Sequence, residues 1–436
     1  MKDFIFRLFI KLITFGYERI FHEKMSDEVE KFFKNLSYVG LGTIIATIFS
    51  FTFNILAGRI LGASGYGEFT LVQSVAMFLY IPMILGFGTA MIKYNAEKED
   101  YNRQRSIIST TYILVFIFTI VSIIIYYLFQ SQISNLFSVS AEFIYLAVVF
   151  AVLFVFYTLT TSTLRGLHEL KKYAIFQPVY SIILLSAFLV FVFIFFISFE
   201  AMVFSMCLAY GITGGIILVF IRKYLRFEFN KHWAGKLASY GSYAIIGGVS
   251  SVFYSNIDKI LINKYMSVAD VGIYRAYNYS IITILMLFIG IFVTVLFPIA
   301  SKYEGKKIMF KRINKIIPYI IILCLPLMIG SGFIILKLYG GEYTFDLKLA
   351  LLFGIAGICV SIGTIYGWLM NSVGMQGVKI TSFAAIILAL ANISLNVWLI
   401  PLIGIEGAII ATIISYILYI GIVLSKRGYL CNSEVT

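Results

Sequence analysis

Charged residues are scarce in this chain, because Asp, Glu, Lys and Arg together make up only 13% of its 436 residues. Soluble domains carry about 25% charged residues, so the scarcity excludes an ordinary soluble domain. Hydrophobic residues account for 61% of the chain. The composition is therefore typical of a protein that lies mostly inside a bilayer.

Cysteine and histidine are also rare, and those that occur are scattered along the chain. They are Cys207, Cys324, Cys359, Cys431, His22, His168 and His232. No pair of them has the spacing of a zinc motif or of a disulfide framework. The sequence therefore predicts neither a metal site nor a structural disulfide.

Catalytic motifs are lacking as well. The chain has no Gly-x-x-x-x-Gly-Lys-Ser/Thr run that would cradle the phosphates of ATP. Glu142, Glu200 and Glu406, which lie next to the predicted outer loops, are lone carboxylates, whereas glycosyl transfer of the two-carboxylate type needs a pair. We therefore expect no enzymatic activity and no cofactor.

Long apolar stretches are abundant by contrast. About 20 apolar residues span the hydrocarbon core, and such a segment must be helical because lipid offers no partner to a free backbone amide. Twelve stretches of this kind predict an all-α, polytopic membrane protein. They lie at 36–58, 68–92, 106–130, 141–164, 173–198, 200–221, 238–262, 271–297, 313–338, 347–370, 377–400 and 403–424.

The basic residues predict the orientation of these spans. Most of the 34 lysines and arginines fall in the two ends of the chain and in the even-numbered gaps between spans. The excess of positive charge on one side places both termini in the cytoplasm of a multi-pass protein of the cytoplasmic membrane. It also explains the net charge of +13 without a nucleic-acid partner.

The spans divide the chain into two lobes and three connecting segments. We expect a cytoplasmic N-terminal segment over 1–35, whose apolar pairs at helical spacing predict an amphipathic helix on the membrane surface rather than a cleavable signal. An N-lobe of six spans follows over 36–221, then a cytoplasmic linker over 222–237. A C-lobe of six spans covers 238–424, and a cytoplasmic tail covers 425–436.

The sequences of the two lobes resemble each other at an offset of about 205 residues. Residues 59–69 resemble residues 264–274, and in each copy a basic residue (Arg59, Lys264) ends one apolar helix while a glycine (Gly67, Gly272) opens the next. Six spans return the chain to the same side, so the copies are parallel and related by a pseudo-two-fold axis along the membrane normal. A duplicated bundle of this kind is usual for a transporter that works by alternating access around a central site.

Charged residues inside spans are informative because each costs roughly 2.5–3.5 kcal/mol near the bilayer centre. Asp258 and Arg275 lie at similar depths on sequential helices, so we expect them to pair. A structural salt bridge explains that pair as well as a ligand role does. Under the repeat Lys259 corresponds to Asn54 and Arg275 to Thr70, so the C-lobe carries charge where the N-lobe has neutral polar groups. This asymmetry suggests an anionic ligand.

These considerations give a set of candidate site residues. The predicted cavity and substrate-binding residues are Asn54, Arg59, Gln73, Asn256, Asp258, Lys259, Arg275 and Asn278. Lys264, Gly67 and Gly272 are predicted gating or interface positions, although Arg59 and Lys264 are also explained by snorkelling to the interface. The pairs Gly211/Gly215 and Gly363/Gly367 have the small-xxx-small spacing that lets helices approach closely.

Two short motifs carry a family resemblance. The run Arg-x-Leu-Gly-x-x-x-Tyr-Gly over 59–67 and the run Asn-x-Asp-Lys over 256–259, followed by Gly272 and Tyr274, resemble the signatures of polysaccharide biosynthesis flippases. These are the Wzx-type exporters of the multidrug/oligosaccharidyl-lipid/polysaccharide (MOP) superfamily.

The resemblance implies a MATE-like fold of two six-helix lobes around a cationic cavity. It implies a flippase that moves a polyprenyl- or dolichyl-(pyro)phosphate-linked oligosaccharide outward for cell-surface polysaccharide or glycan assembly. It also implies coupling to Na⁺ or H⁺ rather than ATP, with glycosyltransferases or a polymerase of the same pathway as partners. The lipid II branch of the superfamily usually has fourteen spans, so the twelve spans predicted here argue against that branch.

Two other functions stay open from the sequence. A multidrug exporter of the same superfamily would share the fold, and its cation-coupled members typically carry an acidic residue in the first span. The first span here has none, although Asp258 could serve from the other lobe. A membrane scaffold that recruits glycan enzymes without transporting anything is the second alternative.

Overall fold

Helices form most of the part that the computed structural model describes, which is residues 27–195, 197–226, 228–290 and 306–428. In chain order they are α1 (Asp27–Ile84), α2 (Phe87–Ala96), α3 (Tyr101–Leu128), α4 (Gln130–Phe137), α5 (Ala141–Gly166), α6 (Leu170–Val190), α7 (Phe199–Ile221), α8 (Lys231–Tyr265), α9 (Val268–Tyr277), α10 (Lys306–Tyr339), α11 (Leu347–Asn371), α12 (Met375–Ile403) and α13 (Ile405–Ser425). Turns of π-helix continue α6 over Phe191–Phe195 and α9 over Asn278–Thr283.

Several predictions concern residues outside these ranges. They are most of the N-terminal segment 1–35, the end of the eighth predicted span, the last residues of the C-terminal tail, His22 and Cys431. The rest of the predicted spans can be compared with the helices directly.

Eleven helical segments in the described ranges are long and apolar enough to cross a membrane. Large apolar side chains lie on their outer surface, and Phe193, Tyr243 and Ile322 are each more than 70% exposed. A surface with so many exposed apolar groups is stable in lipid rather than in water. The chain is therefore a multi-pass membrane protein, and the predicted all-α polytopic fold is confirmed.

The first of these segments contains two of the predicted spans. Helix α1 breaks at Gly62, whose φ of 68° and ψ of −178° are not helical. The Tyr66 hydroxyl donates to Oδ1 of Asn54 over 2.9 Å, and the rings of Phe53 and Phe69 are 6.4 Å apart. Twelve residues of straight helix would separate such groups by about 18 Å. The chain therefore doubles back at Gly62, so the two arms of α1 are separate spans.

A carboxylate from the other half of the chain stabilises this turn. Glu342, in the segment 340–346 between α10 and α11, accepts from the backbone amide of Ala63 over 2.7 Å. That amide is one of the unpaired donors at the start of the second arm, where a carboxylate is favoured. Gly62 also lacks room for a side chain, because a Cβ there would lie 2.8 Å from the Glu342 carboxylate.

The repeat becomes a physical contact at Gly67 and Gly272. A Cβ on Gly67 would overlap the carbonyl oxygen of Val268, and a Cβ on Gly272 would overlap that of Ala63. Ala63 and Val268 are themselves separated by the repeat offset. Each glycine therefore contacts the residue that corresponds, under the repeat, to the residue that the other glycine contacts. The second arm of α1 and helix α9 therefore cross on the pseudo-two-fold axis, at what we call the Gly62 end of the bundle.

The opposite end carries the connection between the halves, and we call it the linker end. A short 3-10 turn, Arg222–Tyr224, follows α7, and α8 begins at Lys231, inside the segment predicted as linker. The Asn230 side chain caps α8 by accepting from the amides of His232 and Trp233. Helix α8 then packs against the first half, with Gly241 so close to Gly86 that a Cβ on Gly86 would lie 2.5 Å from the Gly241 oxygen.

Candidate transport cavity

A cavity of about 410 Å³ lies between the helices near the repeat axis. Its size is within the range of about 300–1,000 Å³ that is usual for small-molecule sites. It is lined by Gln73, Met77, Tyr254, Ser255, Asn256, Asp258, Lys259, Tyr274, Arg275, Asn278, Ile282, Phe353, Ala356, Val360, Ile409, Thr412 and Tyr416.

The cavity shows the repeat and also its asymmetry. Gln73 and Asn278 are related by the repeat offset, and so are Met77 and Ile282. The first half nevertheless contributes only Gln73 and Met77, whereas α8, α9, α11 and α13 supply the remaining lining. The cavity is therefore a recess of the second half that opens toward the second arm of α1.

Arg275 crosses from one half to the other. Its Nη1 donates to Oε1 of Gln73 over 2.6 Å, and its Nε donates to the Tyr66 hydroxyl over 3.2 Å. The guanidinium also lies 5.6 Å and 5.3 Å from the ring centroids of Tyr66 and Phe69. Planar stacking and several donors in a fixed fork suit arginine rather than lysine to this position.

Asn54 supports Arg275 from behind rather than lining the cavity. It is buried, its Nδ2 donates to the Ser50 oxygen over 2.8 Å, and its Oδ1 accepts from Tyr66. Tyr66 is fully buried and also lies 3.4 Å, hydroxyl to hydroxyl, from Tyr339. The first half thus holds the guanidinium through a chain of buried hydrogen bonds.

Asp258 does not pair with Arg275, so that prediction was wrong. Its carboxylate accepts from the Tyr274 hydroxyl and, over 2.9 Å, from the Lys259 backbone amide. Neighbouring side chains on a helix point about 100° apart, since a turn takes 3.6 residues. Tyr274 therefore faces Asp258 on α8, while Arg275 faces α1.

Lys259 brings a second cation into the cavity. Its Nζ donates to the backbone oxygen of Ser255 and lies 3.5 Å from Oδ1 of Asn256. The salt bridges found within the described ranges join Arg103 to Glu97, Lys172 to Glu169 and Lys348 to Glu406, all away from this cavity. With two basic residues and one carboxylate, the lining favours an anion.

Two predicted residues lie away from the cavity. Arg59 is exposed at the Gly62 end, where Nη1 donates to the Leu338 oxygen over 3.4 Å. Lys264 is exposed and lies 5.5 Å from the Tyr265 ring. The structure instead brings together Gln73, Asn256, Asp258, Lys259, Arg275 and Asn278, and places Gly67 and Gly272 at the crossing described above.

Sequence reasoning missed several lining residues of the second half. Thr412 and Tyr416 lie on one face of α13, and Phe353, Ala356 and Val360 on one face of α11. Both helices are apolar on all sides, so their sequences give no sign of which face lines a cavity. Tyr274 belongs to the second family-like motif, and that was the one feature of the sequence that could have identified it as a lining residue.

Comparison with known proteins defines the family. The polysaccharide biosynthesis protein family matches residues 32–304, which is more than half of the chain. The chain therefore belongs to the polysaccharide biosynthesis protein family, and the resemblance seen in the sequence is confirmed.

One curated relative and two solved structures illustrate the similarity. The probable low-salt glycan biosynthesis flippase Agl15 of Haloferax volcanii is 27% identical over 191 residues, covering 42% of this chain and 40% of that protein. The chain thus matches less than half the length of this relative. An inward-facing multidrug resistance MATE family transporter of the MOP superfamily is 12% identical with a TM-score of 0.70, covering 88% of this chain and 95% of the other. An outward-facing one is 11% identical with a TM-score of 0.61, covering 95% and 100%. The fold is therefore MATE-like.

Proposed function

We propose that this protein is a flippase for a polyprenyl- or dolichyl-(pyro)phosphate-linked oligosaccharide. The lobes would expose the cavity alternately to the two sides of the cytoplasmic membrane, with both termini in the cytoplasm. Each cycle would move one lipid-linked glycan outward for cell-surface polysaccharide or glycan assembly. The family of the chain and the similarity to a probable glycan flippase support this proposal.

The observation that carries the proposal is the position of Arg275. A phosphate-linked glycan cannot cross hydrocarbon unaided, because its charge and its hydroxyls would lose their hydration. Arg275 lies at the junction of the two halves, and Lys259 lines the same cavity. Charge-assisted hydrogen bonds from an arginine fork suit phosphate oxygens. A phosphate held there would replace the Gln73 contact and so would change what joins the halves.

Reconstituted transport tests the proposal. Proteoliposomes that contain the protein should move a fluorescent polyprenyl diphosphate oligosaccharide between leaflets, measured as the fraction quenched by an added impermeant reductant. Arg275→Ala should lower the rate at least tenfold, because one tenfold step needs the loss of only about 1.4 kcal/mol. Arg59→Ala is the matched control, because that guanidinium is exposed and outside the cavity. Equal rates for wild type, Arg275→Ala and empty liposomes would overturn the proposal.

A multidrug exporter is the second candidate, and Asp258 is the observation that favours it. This carboxylate is 4% exposed inside the cavity, where it could bind a cationic drug or a coupling ion. Its hydrogen bond from Tyr274 and its neighbour Lys259 work against a cationic ligand. Efflux of a cationic dye without glycolipid movement would favour the multidrug exporter. A protein that transports neither would favour the membrane scaffold that recruits glycan enzymes.

A further inference from the structure

Two tyrosine rings form one wall of the cavity. Tyr254 of α8 and Tyr416 of α13 meet nearly at right angles, with ring centroids 6.1 Å apart and an interplanar angle of 80°. Both rings line the cavity, together with Thr412, one turn from Tyr416. We call Tyr254 and Tyr416 the tyrosine corner.

A glycine of α11 fixes one side of the tyrosine corner. A Cβ on Gly363 would lie 3.0 Å from Cδ1 and 3.3 Å from Cε1 of Tyr416. The Tyr416 ring therefore rests against the backbone of α11, where any larger residue would push it away. The small-xxx-small pair predicted to let helices approach thus seats an aromatic ring, and Gly367 does the same for Tyr419. A ring that is fixed before a ligand arrives loses little entropy when the ligand binds.

The Arg275 guanidinium and the tyrosine corner occupy different parts of the cavity. Arg275 contacts Gln73, Tyr66 and Phe69, all on the second arm of α1. The tyrosine corner is built wholly by helices of the second half. A ligand that fills the cavity therefore meets the Arg275 guanidinium on the side of α1, and the two tyrosine rings together with Lys259 on the side of α8 and α13.

We propose that the tyrosine corner is a sugar subsite that binds the first sugar next to the diphosphate. The inference rests on the proposed function and assigns its specificity to Tyr254 and Tyr416, with Gly363 as a positioning residue. A pyranose has an apolar C–H face that packs on an aromatic ring and a rim of hydroxyls. Within the part of the chain that the structure describes, no protein group hydrogen-bonds to the Asn278 side chain, so its amide can serve that rim.

The polar groups around the tyrosine corner favour a sugar over other occupants. An isoprenoid tail would leave the Asn278 amide without a hydrogen-bond partner, and burial of an unpaired polar group is costly. An aromatic cation would fit the rings but would be repelled by Lys259 and Arg275. The cavity volume suits a diphosphate with one or two sugars, so the distal glycan would lie outside it.

Two lipids that differ by one sugar test the subsite. Native mass spectrometry of the detergent-solubilised protein would measure Kd for a polyprenyl diphosphate and for the same lipid carrying one N-acetylglucosamine. We expect wild type to bind the sugar-bearing lipid about tenfold more tightly. Tyr416→Ala should reduce this ratio to about one while changing Kd for the sugar-free lipid less than twofold. Arg275→Ala should weaken both lipids by a similar factor.

Further variants separate a sugar contact from a loss of folding. Gly363→Ala should lower the ratio as Tyr416→Ala does, because it displaces the same ring, and Tyr416→Phe should preserve it. Tyr243→Ala is the matched control, since that ring is 74% exposed and does not line the cavity. If Tyr416→Ala does not yield folded protein, the ratio of the two Kd values is measured for Tyr254→Ala and Gly363→Ala instead, and the same decrease is expected.

The outcomes distinguish the subsite from the proposed function. Wild type that binds both lipids equally, or a Tyr416→Ala ratio equal to that of wild type, would overturn the subsite alone. A loss that is equal for both lipids would show that Tyr416 is structural. Wild type that binds neither lipid, or that binds a cationic dye in their place, would overturn the proposed function and the subsite with it.

Discussion

Arg275 belongs to the second half by sequence and to the first half by contact. Its two hydrogen-bond partners, Gln73 and Tyr66, lie on the second arm of α1, and Tyr66 depends in turn on Asn54 of the first arm. The Arg275 guanidinium therefore links three spans, namely α9 and the two arms of α1. A ligand that attracts it changes the helix contacts and not only the local charge.

At this scale we predict the effect of removing one hydroxyl. Tyr66→Phe deletes the group that accepts from Arg275 and donates to the buried Asn54, and a buried polar group left unpaired costs about 1–3 kcal/mol. The melting temperature in detergent should fall, and flipping should decline less than in Arg275→Ala because Gln73 still holds the guanidinium. Tyr243→Phe, at an exposed ring, is the control. Equal melting temperatures for the two variants would contradict the prediction.

Individual residues also show why the site was only partly predictable. Asp258, Lys259 and Arg275 were found because a charge in an apolar span is conspicuous. Their partners were not found, because a hydrogen bond from Arg275 to Gln73 joins positions 202 residues apart. Tyr416 gave no signal, because an aromatic residue in an apolar helix fits lipid, core and cavity equally well.

Among the helices, the crossing of the second arm of α1 with α9 is the closest approach between the repeats that we describe. Each glycine lies against the other helix's backbone, so neither tolerates a methyl group without moving two helices. Close approach of this kind is how small residues stabilise helix pairs in a membrane, where apolar burial between helices gives little driving force.

We predict that Gly67→Ala and Gly272→Ala destabilise the protein to a similar degree. Alanine normally stabilises a helix over glycine by about 1 kcal/mol, so a loss at these sites measures the clash with Val268 and Ala63. Thermal unfolding in detergent provides the measurement. Gly215→Ala in α7, with no atom within 4 Å of the added Cβ, should be neutral or stabilising. A drop in one glycine variant but not in the other would argue against a symmetric crossing.

Helix positions were predictable to the extent that hydrophobicity sets them. The apolar stretches marked the spans, and the glycine-rich run at 59–67 marked the turn between the first two. Helix α8 begins at Lys231, seven residues before the predicted span at 238–262, because the Asn230 cap starts a helix in a segment whose basic residues resemble a loop. Hydropathy does not detect a cap.

For the molecule as a whole, the folding back of α1 at Gly62 divides the eleven apolar segments of the described ranges into twelve candidate spans, the number predicted. Twelve crossings would put the two ends of the described part on the same side of the membrane. We predict that the linker end, where Lys and Arg are in excess, faces the cytoplasm.

Labelling with a membrane-impermeant maleimide tests this orientation. In a cysteine-free background, cysteines that replace Ser64 and Gly341, both at the Gly62 end, should react in intact cells. Cysteines that replace Lys98 and Lys231, at the linker end, should react only after permeabilisation, and these two serve as the internal control. The reverse pattern would invert the proposed direction of transport, and labelling of all four in intact cells would contradict the topology.

The hydrogen bond between Ala63 and Glu342 has a consequence for synthesis. The second half caps α9 with its own Ser267 and Asp270, whereas the turn at Gly62 is capped by a residue made 279 positions later. The ribosome therefore inserts the first two spans before the residue that caps their connecting turn has been made. That hydrogen bond can form only after residue 342 has been synthesised and α10 has been inserted.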